Sequence, residues 1–340
     1  MQIPQPYLLF LGDVSDPLSA KTARGIHAWR PDSCVGQMRL PGCEVSLELP
    51  DLTPLQAAQQ GAKTFVLGTA NAGGYIPQHW MDAITQAIKA GMNIASGLHQ
   101  KLSDIPEITE LAEQYGVALF DVRHQKPELS VGSGKKRTGQ RVLTVGTDCA
   151  VGKMYTSLAL EAALQEQGIN AQFRATGQTG ILVAGEGIPI DAVVSDFISG
   201  AAEWVSPDND VDHWDIIEGQ GSLFHPSYAG VSLGLLHGSQ PDWLVMCHEM
   251  GRPHTRHLPH HPLVELEDCV YLNLYNARLT NPDVQLAGFS VNTSQYPEAE
   301  AKAYLAQISE QFGVPATDSV RFGLDSIASY LKQQSLLSAK

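Results

Sequence analysis

Residues 141–145 (RVLTV) form a β-branched run that ends in a glycine-framed loop, Gly146-Thr147-Asp148-Cys149-Ala150-Val151-Gly152-Lys153, and a helix-periodic stretch follows over 155–167. No other feature of the chain limits its fold so strongly. Strand, glycine loop, Gly-Lys and helix in that order make part of a βαβ crossover, so the strand belongs to a parallel sheet. Glycine at both ends lets the backbone curl until successive N–H groups point inward. The helix adds the positive end of its dipole and Lys153 a full charge, which makes the loop a cradle for phosphate. The candidate phosphate-binding residues are therefore Gly146, Thr147, Asp148, Cys149, Ala150, Val151, Gly152, Lys153 and Met154.

Two details narrow the ligand. Five residues separate the glycines where four are usual, and Thr-Asp follows the first glycine; this variant resembles the loop of dethiobiotin synthetase and its relatives. A Mg²⁺-dependent NTPase also carries Ser or Thr directly after the lysine as a metal ligand. Here Met154 stands in that place, and Thr156, two positions on, faces elsewhere on the helix. A cradle without its metal ligand suits a molecule that is held by its phosphates and not cleaved there. Coenzyme A fits better than Mg-ATP, and no metal is expected. Residues 214–217 read as a buried strand followed by Glu218-Gly219-Gln220-Gly221-Ser222. Carboxylates at strand ends of parallel sheets face the ligand edge, which leaves Glu218 as a general base, a metal ligand or a helix-capping group. Residues 286–291 form a later strand that ends in Asn292, in the place where the dethiobiotin synthetase superfamily reads adenine.

The first part of the chain alternates in the same way. Strands are expected at 7–11, 63–67, 93–95 and 117–122, and helices at 20–29, 80–90 and 105–115. The glycine-rich stretch 68–74 and Gly97-Leu98-His99 would lie beyond the strands' C-terminal ends. Residues 126–140 (KPELSVGSGKKRTGQ) gather Pro, Gly, Ser and positive charge and read as a linker. The expectation is an α/β chain: a Rossmann-like parallel-sheet domain over 1–125, a linker over 126–140, and a P-loop domain over 141–340.

A third cluster follows a strand at 243–246. It holds Arg252, Arg256 and five histidines within residues 248–261. Prolines break helical spacing there and no HExxH occurs, so zinc is not the favoured reading. The planar forks of Arg252 and Arg256, with Arg174 beside the turn at 177–180, suit carboxylates. His254 is a candidate proton acceptor. Cys149 offers a thiol, but the backbone of a phosphate loop is a poor place for a covalent nucleophile.

Composition sets the outer limits. A net charge of −14 argues against nucleic acid or an anionic membrane surface as partner. An anionic substrate must then be met by local cations. The five cysteines are scattered, with no CxxC pair, as in a reducing cytoplasm. The apolar run YLLFL near the start is too short for a signal peptide core or a membrane span.

The motif set as a whole is similar to a bacterial family long filed as a domain of unknown function. It comprises DPLSAKTARGI, GLH at 97–99, DVR at 121–123, GTDCAVGKM, GQTG at 177–180, EGQGSLFHPSY at 218–228, HEMGRPH at 248–254 and GFSVNTS, so the resemblance spans about residues 7–325. The family includes D-glutamate N-acetyltransferases. The resemblance implies transfer of the acetyl group of acetyl-CoA to D-glutamate, both small molecules; a cytoplasmic homodimer is the expected form on the general frequency of such oligomers, and the residues do not fix the oligomeric state. In that frame the loop holds the CoA phosphates, and Arg252, Arg256 and Arg174 bind the glutamate carboxylates. Glu218 or His254 takes the ammonium proton, and the amides of Gly219, Gln220 and Gly221 face the oxyanion. The rival is an ATP-dependent ligase or kinase of the dethiobiotin synthetase type, with Glu218 and Asp148 as metal ligands. A non-catalytic nucleotide sensor is a second rival. The residues do not by themselves choose between D- and L-amino acids.

Overall fold

The computed structural model describes residues 2–17, 19–69, 73–124 and 127–338. Part of the glycine-rich stretch 68–74, namely Ala70, Asn71 and Ala72, and Lys126 of the expected linker lie outside the described residues. The fold is α/β with two parallel sheets, as expected, and the chain divides into two compact units.

The first unit, residues 1–127 with 177–192, contains strands β1 (Tyr7–Gly12), β2 (Cys34–Arg39), β3 (Thr64–Leu67), β4 (Asn93–Ser96) and β5 (Leu119–Asp121). They run parallel in the order β2-β1-β3-β4-β5. The strands buried on both faces were readable as continuous apolar runs. Strand β2 was not, because Gly36 interrupts it. A Cβ at Gly36 would lie 2.6 Å from Leu52 Cδ1 and 2.7 Å from the Pro50 carbonyl, so glycine is needed where a second segment crosses the sheet edge. The core packs Phe10 against Phe65 and, edge-on, against Trp80, with ring centroids 5.1 and 5.3 Å apart. Trp80 also donates from Nε1 to Asp13 Oδ1 at 2.8 Å, tying the loop after β1 to the core.

The second unit, residues 128–176 with 193–340, holds β6 (Gln140–Gly146), β7 (Asn170–Arg174), β8 (His213–Ile217), β9 (Trp243–Glu249), β10 (Gln285–Asn292) and β11 (Ala316–Thr317). Their order is β11-β10-β9-β6-β8-β7, all parallel. Strand β6 lies between β8 and β9, which brings the C-terminal ends of β6, β8, β9 and β10 to one edge. Residues 177–192, including the helix Gln178–Ala184, group with the first unit. There Ile3 N–H donates to the Gly185 carbonyl at 2.6 Å.

Residues 128–139 form no helix or strand, yet they are fastened into the second unit. Arg137 is buried and donates to the carbonyls of Ser206, Gly238 and Ser239. Burial lowers its guanidinium to about 10. Arg141 is also buried and reaches Ser206 Oγ at 3.0 Å, and that hydroxyl donates to Asp215 at 2.6 Å. Cations buried this deeply persist because most of their N–H groups find oxygens, Arg137 Nε being the exception. Among the described residues no helix is long and apolar enough to cross a membrane.

Candidate active site

The loop after β6 closes on its own lysine. Gly152 caps the helix Lys153–Glu166 with φ +102°, and Ala150 takes φ +54°, so the turn uses left-handed backbone twice in three residues. Lys153 is buried and donates from Nζ to the Asp148 carbonyl at 2.9 Å. Burial lowers its pKa, a shift that an anion in the loop would oppose. A Cβ on Gly146 would lie 3.2 Å from this ammonium and 2.9 Å from Val151 Cγ2, so the glycine keeps the cradle open. Beside it is a water-sized cavity of about 10 Å³ lined by Gly146, Lys153, Gly219, Gly221 and Ser222 among others.

Asp148 organises the loop from within. It is fully buried. Its Oδ1 accepts the Cys149 amide at 2.6 Å, and its Oδ2 accepts Arg252 Nη1 and the Arg256 amide, both at 2.7 Å. Arg252 Nη1 also reaches the Cys149 carbonyl at 2.9 Å, while Nη2 pairs with Glu249. The Arg252 fork, expected to hold a substrate carboxylate, is thus engaged in bracing the loop. Arg174 is likewise engaged, donating from Nε to the buried Asp215 at 2.6 Å. Of the three arginines, Arg256 is the exposed one, with Nε donating to the neighbouring His257 ring at 3.2 Å.

Met154 is half-buried, and the hydroxyl two places on turns away from the loop. Thr156 Oγ1 donates to Ser290 Oγ at 2.7 Å and accepts the Cys247 thiol at 3.4 Å, contacts made inside the sheet–helix interface. Burial pushes the Cys247 thiol up to about 11.

Glu218, just past β8, is buried, and its Oε2 accepts the Thr176 amide at 3.0 Å. Thr176 Oγ1 donates to the Glu218 carbonyl at 2.5 Å, and Gln220 Nε2 donates to Thr176 Oγ1 at 3.2 Å. The Gly219 amide, expected to face an oxyanion, donates instead to Thr144 Oγ1 at 2.9 Å. A Cβ on Gly219 would lie 1.7 Å from the Thr144 carbonyl, so the turn lies directly against β6. Gly221 has φ +63° and lines the small cavity. Asn292 ends β10, and its Oδ1 accepts the Ser294 amide at 3.1 Å.

The histidines separate into distinct environments. His248 is buried at the end of β9 between Thr147 Oγ1 and Tyr304 Oη, each 3.1 Å from a ring nitrogen. Burial first, and Arg252 second, lower it to about 4, so it is a neutral bridge beneath the phosphate loop. His254 is half-buried, with Nδ1 3.3 Å from the Thr255 carbonyl oxygen. His225, which sequence reasoning passed over inside the 218–228 motif, is buried beside the loop. One of its ring nitrogens, the Cys149 sulfur and an Asp148 oxygen lie within 4.8 Å of one another, the one such grouping among the described residues. Its Nδ1 accepts the Ser227 amide at 3.2 Å, which leaves the proton of the neutral ring on Nε2, a donor. Burial raises the Cys149 thiol against the pull of Lys153, Arg256 and Arg252. Lys153, Arg252 and Arg256 thus surround a loop that also holds the Asp148 carboxylate.

Residues 130–328 match the family described as Domain of unknown function (DUF1611_C) P-loop domain, and residues 38–125 match its DUF1611_N Rossmann-like partner domain. The chain belongs to the DUF1611 family. A relative from Pseudoalteromonas sp, called D-glutamate N-acetyltransferase, is 53% identical over 97% of this chain and its own full length. A second of that name, from Tritonibacter scottomollicae, is 51% identical over 94% of this chain and 96% of its own. The structure of a DUF1611 protein from Anabaena variabilis superposes with a TM-score of 0.82 at 33% identity, covering 97% of this chain and all of the other. The family resemblance drawn from the motifs is therefore correct, and the Rossmann-like and P-loop parts are those of DUF1611.

Proposed function

We propose that this chain is an N-acetyltransferase that moves the acetyl group of acetyl-CoA onto the amino group of D-glutamate. The two DUF1611 relatives of that name, each more than half identical over nearly the whole chain, support the reaction class and the acceptor. The observation that carries the donor is the phosphate loop itself. It keeps its buried lysine and adds Arg252 and Arg256, yet Met154 follows the lysine and Thr156 is bonded into the sheet. Such a loop can hold a diphosphate by charge and backbone N–H groups with no hydroxyl placed to bind a metal.

Gly146 to Met154 hold the phosphates, and Asn292 at the end of β10 serves the adenine. Acetyl-CoA arrives already activated, so the protein has to position the acceptor, remove its ammonium proton and meet developing charge. Glu218 takes the proton, since it stands at the strand edge with its carboxylate held by the Thr176 amide. His254 is the second candidate for that step. With the Gly219 amide bonded to Thr144, the oxyanion falls to Gln220, Gly221 or the His225 ring. Cys149 is not needed as a nucleophile: the loop it belongs to grips the phosphates, and the thioester lies a pantetheine arm away. The enzyme works in the cytoplasm as a homodimer; the exposed Tyr271, Leu272 and Tyr275 on the helix Leu266–Ala277 support self-association.

Lys153→Ala tests the donor assignment. The apparent KM for acetyl-CoA is expected to rise at least about ten-fold while that for D-glutamate stays within two-fold, as about 1.4 kcal/mol of lost charge interaction would require. An unchanged acetyl-CoA KM would remove the loop from this role.

A further inference from the structure

With Arg252 and Arg174 engaged elsewhere, the acceptor needs another site, and the first unit carries unused chemistry at its ligand edge. Strands β3 and β4 are paired to their ends, with Leu67 opposite Ser96, so the residues just beyond, Gly68-Thr69 and Gly97, lie side by side. The Gly68 carbonyl accepts the Ala23 amide at 2.9 Å, and a Cβ on Gly68 would lie 2.5 Å from Ala23 Cβ. The end of β3 therefore abuts the first turn of the helix Lys21–Trp29. No side chain caps that helix at Ala20, although the Gly68 carbonyl takes its Ala23 amide, and its first turn carries exposed Lys21 and Arg24. Over the end of β4 sits Gln178, whose Oε1 would be 2.8 Å from a Cβ on Gly97.

Two polar atoms at this edge are buried without a partner. Thr69 is 3% exposed and its Oγ1 has no hydrogen bond, and Gln178 Oε1 is buried and equally unpaired. Leaving such atoms unsatisfied is costly, so each calls for a partner, which a bound ligand can supply. An acceptor oxygen calls for an N–H donor. A hydroxyl beside two cations and a helix N-terminus that no side chain caps calls for a carboxylate. A molecule offering both is an acidic amino acid.

We propose that this edge of the first unit binds the amino-acid acceptor, with Gln178 Oε1 accepting from its ammonium and the Thr69 hydroxyl donating to a carboxylate. Lys21 and Arg24 supply opposite charge. The assignment rests on the acetyl-transfer reading and deepens it.

Thr69→Val and Gln178→Met, made in the full chain, test it by calorimetric titration of D-glutamate at saturating CoA. Each variant should bind D-glutamate about ten-fold more weakly, the loss of one hydrogen bond to a charged group, with CoA affinity within two-fold. Thr69→Val should melt no lower than the parent protein, because its hydroxyl bonds nothing in the fold. Unchanged D-glutamate affinity in either variant, or no D-glutamate binding by the parent protein, overturns the site. If the parent protein releases CoA thiol with D-glutamate but the variants keep their acceptor KM, acetyl transfer stands and the site falls. If the variants lose affinity and the parent releases no thiol, the site stands and acetyl transfer falls.

Discussion

His248 shows how one residue ties the phosphate loop to stability. Its neutral ring bridges Thr147 and Tyr304, and burial lowers it from an ordinary 6.5 to about 4. Between those values the unfolded chain binds a proton that the folded chain does not, so stability rises with pH across the window. The contribution is complete above about pH 6.5 and is lost as pH falls toward 4. A displacement of this size corresponds to about 3 kcal/mol. Denaturant midpoints measured from pH 7 to pH 4 should fall steeply, and His248→Gln should flatten that fall. A slope unchanged in the variant would mean the acid sensitivity arises elsewhere. The same scale explains why some roles were unreadable. Lys153 and its loop are coded by contiguous residues, whereas the Arg252–Asp148 pair joins residues 104 apart and the Arg174–Asp215 pair residues 41 apart. An isolated arginine in a sequence looks equally suited to a substrate or to a buried aspartate; only the fold decides.

At the scale of elements, the helices Ile198–Val205 and Ala229–Ser239 cross through glycines. A Cβ on Gly238 would lie 2.2 Å from the Ser199 carbonyl oxygen and 2.5 Å from its Cα, and one on Gly234 would lie 2.5 Å from Ile198 Cγ2. The Gly238 carbonyl also receives the buried Arg137. Because the obstruction at Gly238 is backbone, Gly238→Ala is expected to cost about 3 kcal/mol of stability while leaving both KM values unchanged. Thermal melting with parallel kinetics checks this, and a variant that melts like the parent protein would show that the crossing can widen freely. Strands with continuous apolar runs, such as β1, β3, β6 and β9, were legible, and so was their parallel arrangement. Strand β2 with its glycine, β7 with its polar Asn170–Arg174 sequence and the two-residue β11 were not, since tertiary pairing defines them. The passage of 177–192 into the first unit left no sequence mark either. Its GQTG turn reads locally as a loop, and its packing partners are Ile3, Gly97 and the helix Lys21–Trp29.

For the whole molecule, the tension is between a net charge of −14 and the two anionic substrates proposed for it. A chain of that charge can bind small anions only where cations are gathered locally. The second unit gathers Lys153, Arg252 and Arg256 around one loop, and the first carries Lys21 and Arg24 at a helix start that no side chain caps. The central claim is that the loop holds a donor it does not cleave. Release of free CoA thiol from acetyl-CoA, followed with D-glutamate, with L-glutamate and without acceptor, in the presence and absence of EDTA, tests it most directly. The account predicts D-glutamate-dependent release that persists in EDTA. No release with any acceptor, together with Mg²⁺-dependent ADP formation from ATP, would contradict it and make the loop an ATP site.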